Sequence, residues 1–425
     1  MKSVLIVSYY WPPLAGSGVQ RWLKFAKYLP QNNWKPIIYT PANPYIEIKD
    51  EKLLKDISEE TEIWKTPIWE PYHIKDYLLG KSSNTQSSGV VSSKRSVKNG
   101  LLNWLRGNLF IPDPKLYWIR PSVEYLRNKI KENNIEHIIT TGPPHSMHLI
   151  GLYLKEITPN LKWIADFRDP WSKLDLLEEF HLSYFAKRKH RKLEKKVLEN
   201  ANIVLTVSEK WAEEFKSLGA KRVKLITNGY DQKDFVFKQK KNDKFIIGHY
   251  GLLNHLRNPK NLWQALNILC DEYSDFNSKL EIHLAGNIDE EVIAEVESFS
   301  NLKGKLKQLG YLSHEQVLNH YNEASILLLL LFNSNSGVGN YPGKLFEYLA
   351  AKKPILAFGP QDSDVERLLL RLSAGTYLSY EVKDIKDKIL RLFTNPNIDY
   401  KDSDIENYSR ENLTRELAVL LNQLN

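Results

Sequence analysis

The chain has 425 residues, 42% of them hydrophobic and 26% charged, with a formal net charge of +8. That length exceeds one ordinary core and suits two domains, and the composition is that of a globular protein rather than a disordered or fibrous one. The longest strongly apolar run, residues 326–332, is far short of the roughly 20 residues that a spanning helix needs.

At the N-terminus, Met1-Lys2-Ser3-Val4-Leu5-Ile6-Val7-Ser8 runs into aromatics and Pro12-Pro13 without a small-residue cleavage site. It reads as a first strand rather than a signal peptide, and points to a cytoplasmic protein. Further strands are predicted at 36–40, 137–140, 162–165, 203–207 and 224–227, with helices at 22–29, 123–132, 147–155 and 189–199. Residues 231–244 are polar and lysine-rich and read as a linker. The alternation restarts with strands at 245–250, 280–285, 326–331 and 354–358 and helices at 259–273, 289–297, 314–322 and 344–351. Strand and helix in alternation predict parallel sheets. The expected fold is α/β, with two Rossmann-like, doubly wound domains at 1–230 and 245–400 and a last helical stretch at 405–425. The lone Cys270, in a helical segment, excludes an internal disulfide and a cysteine-based metal cage.

Two segments stand apart. Residues 81–100 are serine-rich, without periodicity, and read as a loop; from 77 to 112 there is no acidic residue, while Lys81, Lys94, Arg95, Lys98 and Arg106 are basic. The following stretch, 101–111, holds Trp104 among leucines and is read as a short helix packed on the first domain or as an interfacial membrane helix. The basic run Lys187-Arg188-Lys189-His190-Arg191-Lys192, then Lys195-Lys196, is by default a solvated helix face. An anionic membrane or acceptor surface is the sharper reading, and no nucleic-acid motif accompanies the run.

The chemistry is expected beyond the carboxyl ends of the strands. Tyr341-Pro342-Gly343-Lys344-Leu345-Phe346-Glu347-Tyr348-Leu349 follows a buried strand and opens a helix. Free amides at a helix start favour an anion, Lys344 adds a full charge, and Glu347 on the same helix face can accept from hydroxyl groups. Arg257, after the strand at 245–250, can hold a phosphate bidentately. The loops at 310–312 and 333–340 are further strand ends rich in small residues, and Gly251, Leu312, Gly339 and Gly343 are taken as donor-side positions. In the first half, Gly16 and Gly18 allow close backbone approach, but Arg21 stands where a dinucleotide fingerprint needs its third glycine. His145, at a strand end, is a candidate donor or acceptor. Asp166-Phe167-Arg168-Asp169-Pro170-Trp171 reads as largely structural, with Arg168 able to pair with either carboxylate. Asp362-Ser363-Asp364 and Asp402-Ser403-Asp404 could chelate a divalent ion with a diphosphate. Helix capping is the preferred reading for the first pair, and no metal site is expected.

Over nearly the whole chain these stretches resemble the retaining GT-B glycosyltransferases of the family 4 type. The resemblance rests on Ser8-Tyr9-Tyr10-Trp11-Pro12-Pro13 with Gly16 and Gly18, residues 166–171, Leu205-Thr206-Val207-Ser208, Thr227-Asn228-Gly229-Tyr230-Asp231, residues 248–259 and residues 342–349. It implies two domains facing a central cleft, the last helix crossing back to the first domain, and no cofactor or metal. A nucleotide-diphosphate sugar would bind mainly to the C-terminal half and the acceptor to the N-terminal half. Carried onto this sequence, Arg257 and Lys344 would neutralise the departing diphosphate and Glu347 would hold ribose hydroxyls. Gly16 and Gly18 would line the cleft opposite, and His145 would lie near the transferred sugar. The acceptor commonest for the resemblance is a surface polysaccharide or lipid-linked glycan, which would place the protein on the inner face of the plasma membrane.

Two positions depart from the pattern. Many family members carry a glutamate eight residues before the position of Glu347, where this chain has Gly339, and many carry a second cation at the position of Asn258. The missing glutamate motivates one alternative, a non-catalytic sugar-nucleotide-binding subunit. The other is a sugar-nucleotide epimerase of the same architecture, which would need Asp166 or Asp169 as its acid and base.

Overall fold

Two parallel sheets organise the chain, which a computed structural model describes over residues 1–45, 48–71, 97–235, 243–382, 385–396 and 402–424. It divides into a first unit, Met1–Thr227 with Arg410–Asn425, and a second, Asn228–Ser409.

The first unit is built on β1 (Lys2–Val7), β2 (Trp34–Pro41), β3 (Glu62–Thr66), β4 (His137–Gly142), β5 (Lys162–Phe167), β6 (Ile203–Thr206) and β7 (Val223–Leu225). Their order across the sheet is β3-β2-β1-β4-β5-β6-β7, and every neighbouring pair is parallel. Helices on both faces bury the central strands almost completely, so these read as continuous β-branched and leucine runs. Ile6 sits in register with Ile38 on one side and Ile139 on the other. Winding reverses between β1 and β4, so the loops after these two strands diverge and leave room for a ligand. Gly16 and His145 end those loops as helix N-caps, and Gly18 lies in the first turn of the helix that follows β1.

Helix Ser17–Tyr28 covers one face through Val19, Trp22 and Leu23. The last helix, Arg410–Asn422, shares that core through Leu413, Leu417 and Leu421. Truncating one such leucine to alanine costs about 2–5 kcal/mol, so this helix is bound into the first unit's stability. The preceding short helix, Asp402–Glu406, belongs to the second unit.

The second unit's sheet has the order β10-β9-β8-β11-β12-β13, again wholly parallel. The strands are β8 (Phe245–Tyr250), β9 (Leu280–Ala285), β10 (Leu306–Gly310), β11 (Ile326–Leu330), β12 (Ile355–Gly359) and β13 (Gly375–Ser379). Here the reversal falls between β8 and β11. The segments that follow these two strands carry Gly251 and Arg257 on one side, and Gly339 and, at the start of the next helix, Lys344 on the other.

Some expectations change. Strands β3, β10 and β13 were not predicted; all three are sheet edges with mixed burial, whose apolar signal is weak. Residues 97–100, read as loop, begin the helix Val97–Leu109. The rest of the expected serine-rich loop, 81–96, with Lys81, Lys94 and Arg95, lies outside the described residues, as do 236–242 of the expected linker. The stretch around Trp104 is a helix packed through Gly107, where an added Cβ would stand 2.6 Å from Leu182 and Phe180 side-chain atoms. Among the described residues no helix is long and apolar enough to cross a membrane.

Candidate functional site

In the second unit the backbone turns sharply as β8 ends. Gly251 has φ +148°, and a Cβ there would lie 2.8 Å from Nζ of Lys344. Glycine is therefore required twice over, by conformation and by the lysine that occupies the space. Gly286, after β9, presses on the same turn, where a Cβ would meet the Gly251 carbonyl at 2.5 Å. Lys344 comes from the first turn of helix Gly343–Ala350, whose N-cap is Pro342 with no side-chain cap. Its amine donates to the Tyr250 carbonyl at 3.3 Å. The ammonium is desolvated although the side chain keeps some accessible surface. Burial foremost, then the nearby Arg257 cation, brings its pKa down to about 7, against a smaller opposing pull from Glu347.

Arg257 closes the short helical turn His255–Arg257, its guanidinium 3.6 Å from the centre of the Phe332 ring. Tyr380 steadies the turn by donating to the Arg257 carbonyl at 3.2 Å. Glu347, one turn beyond Lys344, is held from the neighbouring helix His314–Glu323. Tyr321 donates its hydroxyl to Oε2 at 3.0 Å, and Nε2 of His314 lies 3.1 Å from Oε1. Phe332, Tyr380, His314 and Tyr321 were not anticipated. The spacing of His314 and Tyr321 puts both on one helix face, but nothing in the sequence says that this face meets Glu347.

The structure thus brings Lys344, Arg257, Glu347, Gly251 and Gly343 to one strand-end region. Gly339 closes the buried turn Ser336–Gly339 before the lysine helix, and Leu312 follows β10 just ahead of the helix that carries His314. Asn258, at the position of the expected second cation, is occupied otherwise. Its oxygen accepts from the Trp263 indole at 2.7 Å, and its amide donates to Glu295. Two cations beside an uncapped helix start form a site of the right size and charge for a diphosphate. A positioned carboxylate one turn away can accept from sugar hydroxyls.

In the first unit, Arg21 proves to be structural. It donates to both carboxylate oxygens of Asp166, at 3.1 and 2.9 Å, and to the carbonyls of Thr227 and Ile226 at 2.7 and 2.9 Å. Trp22 and Thr141 complete the shell around the fully buried Asp166. Burial pushes that carboxyl up, but the Arg21 charge and hydrogen bonds outweigh it and hold the pKa below the ordinary value. Arg168, expected to pair with a carboxylate, instead donates to the Gly142, Pro143 and Gly18 carbonyls and ties the two strand-end loops together. Gly18 is confined by Tyr10, whose ring would lie 2.9 Å from a Cβ, and Gly16 takes φ +109° to start its helix.

His145 is 5% exposed and stacks face to face on Trp171 at 4.9 Å. Neither ring nitrogen has a partner among the described residues. Burial, followed by His148, keeps its pKa well below the usual value, so it is neutral at pH 7. It borders a cavity of about 200 Å³ with Tyr10, Arg106, Asp113, Trp171 and His190. Of the aspartate pairs, Asp364 is engaged by Arg367, while the side chain of Asp402 lies outside the described residues.

Two doubly wound parallel-sheet units, each with candidate residues at its topological switch point, define the GT-B class. Residues 91–234 match the family described as Glycosyltransferase Family 4, and residues 231–412 match Glycosyl transferases group 1. The chain belongs to these GT-B glycosyltransferases and is a glycosyltransferase enzyme.

Solved structures agree on the fold. An α,α-trehalose-phosphate synthase (UDP-forming) from Burkholderia vietnamiensis is 9% identical with TM-score 0.64, covering 100% of this chain and 98% of its own. A sucrose-phosphate synthase from Thermosynechococcus elongatus is 14% identical with TM-score 0.61, over 100% and 98%. A lipopolysaccharide outer core galactosyltransferase is 12% identical with TM-score 0.57, over 99% and 100%. No curated protein matches the chain by sequence.

Proposed function

We propose that this glycosyltransferase is a retaining enzyme that takes its sugar from a nucleotide-diphosphate donor bound by the second unit. The observation that carries the reading is the convergence of Lys344 and Arg257 on the uncapped start of helix Gly343–Ala350, with Glu347 fixed one turn on. When the bond from the sugar to the diphosphate breaks, the electron pair leaves with the diphosphate and the sugar becomes oxocarbenium-like. Stabilising the departing charge is then the main catalytic requirement. Lys344 and Arg257 supply fixed positive charge there, which makes a metal unnecessary. Glu347 accepts from ribose hydroxyls, and its fixed orientation selects a nucleoside donor over inorganic diphosphate. Neutral His145, beside the first unit's cavity, serves the acceptor as a hydrogen-bonding group rather than a charge. The acceptor is a glycan or lipid-linked saccharide of a surface polysaccharide, a reading that the likeness to a lipopolysaccharide galactosyltransferase supports.

The epimerase alternative loses one of its two candidate carboxylates, since Asp166 is committed to Arg21, Trp22 and Thr141. Incubation with a panel of nucleotide sugars tests the proposal. Slow release of nucleoside diphosphate is expected from one donor class, and Lys344→Ala lowers it about 10³-fold without loss of fold. An isomerised donor, binding without turnover, or undiminished release by the variant would each overturn it.

A further inference from the structure

Two short segments of the first unit display large rings although their backbones are firmly held. After β3, Ile68 is buried and exchanges two hydrogen bonds with the Asn43 side chain, its amide donating at 2.8 Å and its carbonyl accepting at 3.1 Å. Glu70, fully buried, accepts from the Tyr9 hydroxyl, the Tyr45 amide and the Lys115 amine. Trp69, between these two anchors, is nevertheless 49% exposed. The other segment leads into helix Ile119–Glu132. There Trp118 is buried, stacked on Tyr39 at 4.7 Å and donating to Thr66 at 3.0 Å, while its neighbour Tyr117 is 46% exposed. Rings whose chain neighbours are fastened in this way are exposed by the fold, not by a loose loop.

The two exposed rings meet. Trp69 and Tyr117 are perpendicular with centres 4.7 Å apart, and Phe110 stands edge-on to Tyr117 at 6.3 Å. Phe110 in turn lines the cavity that His145 borders. Asp113, on the same wall, accepts from the amide and the hydroxyl of Ser146, which ties this segment to the helix start beside His145. Ring contacts therefore lead outward from the cavity, from Phe110 to Tyr117 to Trp69. Perpendicular contact leaves ring faces uncovered, and adjoining exposed apolar side chains mark a binding surface rather than ordinary scatter. The charges alongside are engaged: Lys115 pairs with Glu70 at 2.9 Å, and Asp113 is held by Ser146.

We infer that this aromatic strip extends the acceptor site, so that the acceptor is a neutral oligosaccharide rather than a single sugar. Its terminal sugar enters the cavity, and the preceding sugars lie across Phe110, Tyr117 and Trp69. The C–H face of a pyranose covers an aromatic face as an aliphatic group does, while its hydroxyls stay in water. Continuity with the cavity selects this occupant, and the inference rests on the reading of that cavity as the acceptor's. An acidic polymer would seek cations, and Lys115, the cation beside the strip, is already engaged by Glu70.

The test measures binding of the full-length protein to an array of neutral and acidic oligosaccharides of graded length, together with the single sugars that end them. A neutral oligosaccharide should bind about tenfold or more tightly than its terminal sugar alone. Trp69→Ala should lose about fivefold and Tyr117→Ala about threefold, and the two together should bring the oligosaccharide down to the level of the single sugar. Binding of the single sugar and the circular dichroism should stay unchanged. Tyr117→Phe, which keeps the ring, should bind like the parent. Equal binding of long and short glycans, alanine variants that keep the preference for length, or a preference for acidic chains would each sink the inference. Release of nucleoside diphosphate from a donor without acceptor reads the second unit separately. Its absence would defeat the donor reading and leave the preference for length to stand or fall by itself.

Discussion

Arg21 in the first unit and Lys344 in the second are both desolvated cations beside strand ends, yet their surroundings are opposite. Arg21 spends its donors on a buried carboxylate and two carbonyls, and its partner Asp166 is in turn saturated. Lys344 makes one long hydrogen bond to a carbonyl, lies near a second cation, and has no carboxylate at ion-pair distance among the described residues. Satisfied charge holds a fold together; incompletely satisfied charge next to an open helix end is poised for an anion.

Exchanging the two losses tests that contrast most strongly. Lys344→Ala should lower donor turnover about 10³-fold without loss of stability, because the desolvated charge is itself a cost to the fold. Arg21→Met should do the reverse, costing about 3–5 kcal/mol in urea unfolding because Asp166 is left buried and unpaired. If both variants lost stability alone, the second cation would be structural too.

The pH dependence should separate them next. With a pKa of about 7 before ligand binds, Lys344 becomes neutral as pH rises, so donor affinity measured by calorimetry should fall about tenfold per pH unit above neutrality. Its effect on folding has the other sign. Between about 7 and 10.5 the unfolded chain holds the proton that the folded chain has released, so this residue's contribution to stability rises with pH. Asp166, with a depressed pKa, contributes stability above the ordinary carboxyl value of 3.8 and loses it as pH falls further.

A smaller loss is expected at Gly251. Alanine there must adopt a positive φ and crowd Nζ of Lys344, so donor hydrolysis should drop about tenfold, in kcat/KM, with the lysine still present. The mildest effect belongs to His314→Ala, which removes one of the two side chains holding Glu347. Donor KM should rise about fivefold with little change in kcat, the value of one hydrogen bond to a positioned carboxylate. An unchanged KM would mean that Tyr321 alone fixes Glu347.

Central strands were legible because burial on both faces demands continuous apolar residues, as in Ile326–Leu330. Edge strands β3, β10 and β13 escaped because half-exposed strands carry mixed residues, lysine and glutamate among them. Arg21 was noticed as a glycine that failed to appear, but its partner lies 145 positions away in the chain, beyond any local pattern. The same holds for His314 and Tyr321, which look like ordinary helix residues until β11 and its following helix bring Glu347 alongside.

By itself the sequence determined the alternation that makes two doubly wound units, the strand-end glycines, and Lys344, Arg257 and Glu347 as residues of interest. Short-range patterns encode these because periodicity and turn chemistry act over a few residues. Only the tertiary structure decided which charges are quenched and which remain available, and that the last helix packs into the first unit's core. Burial and charge compensation depend on segments far apart in the chain, and no local pattern specifies which of them meet.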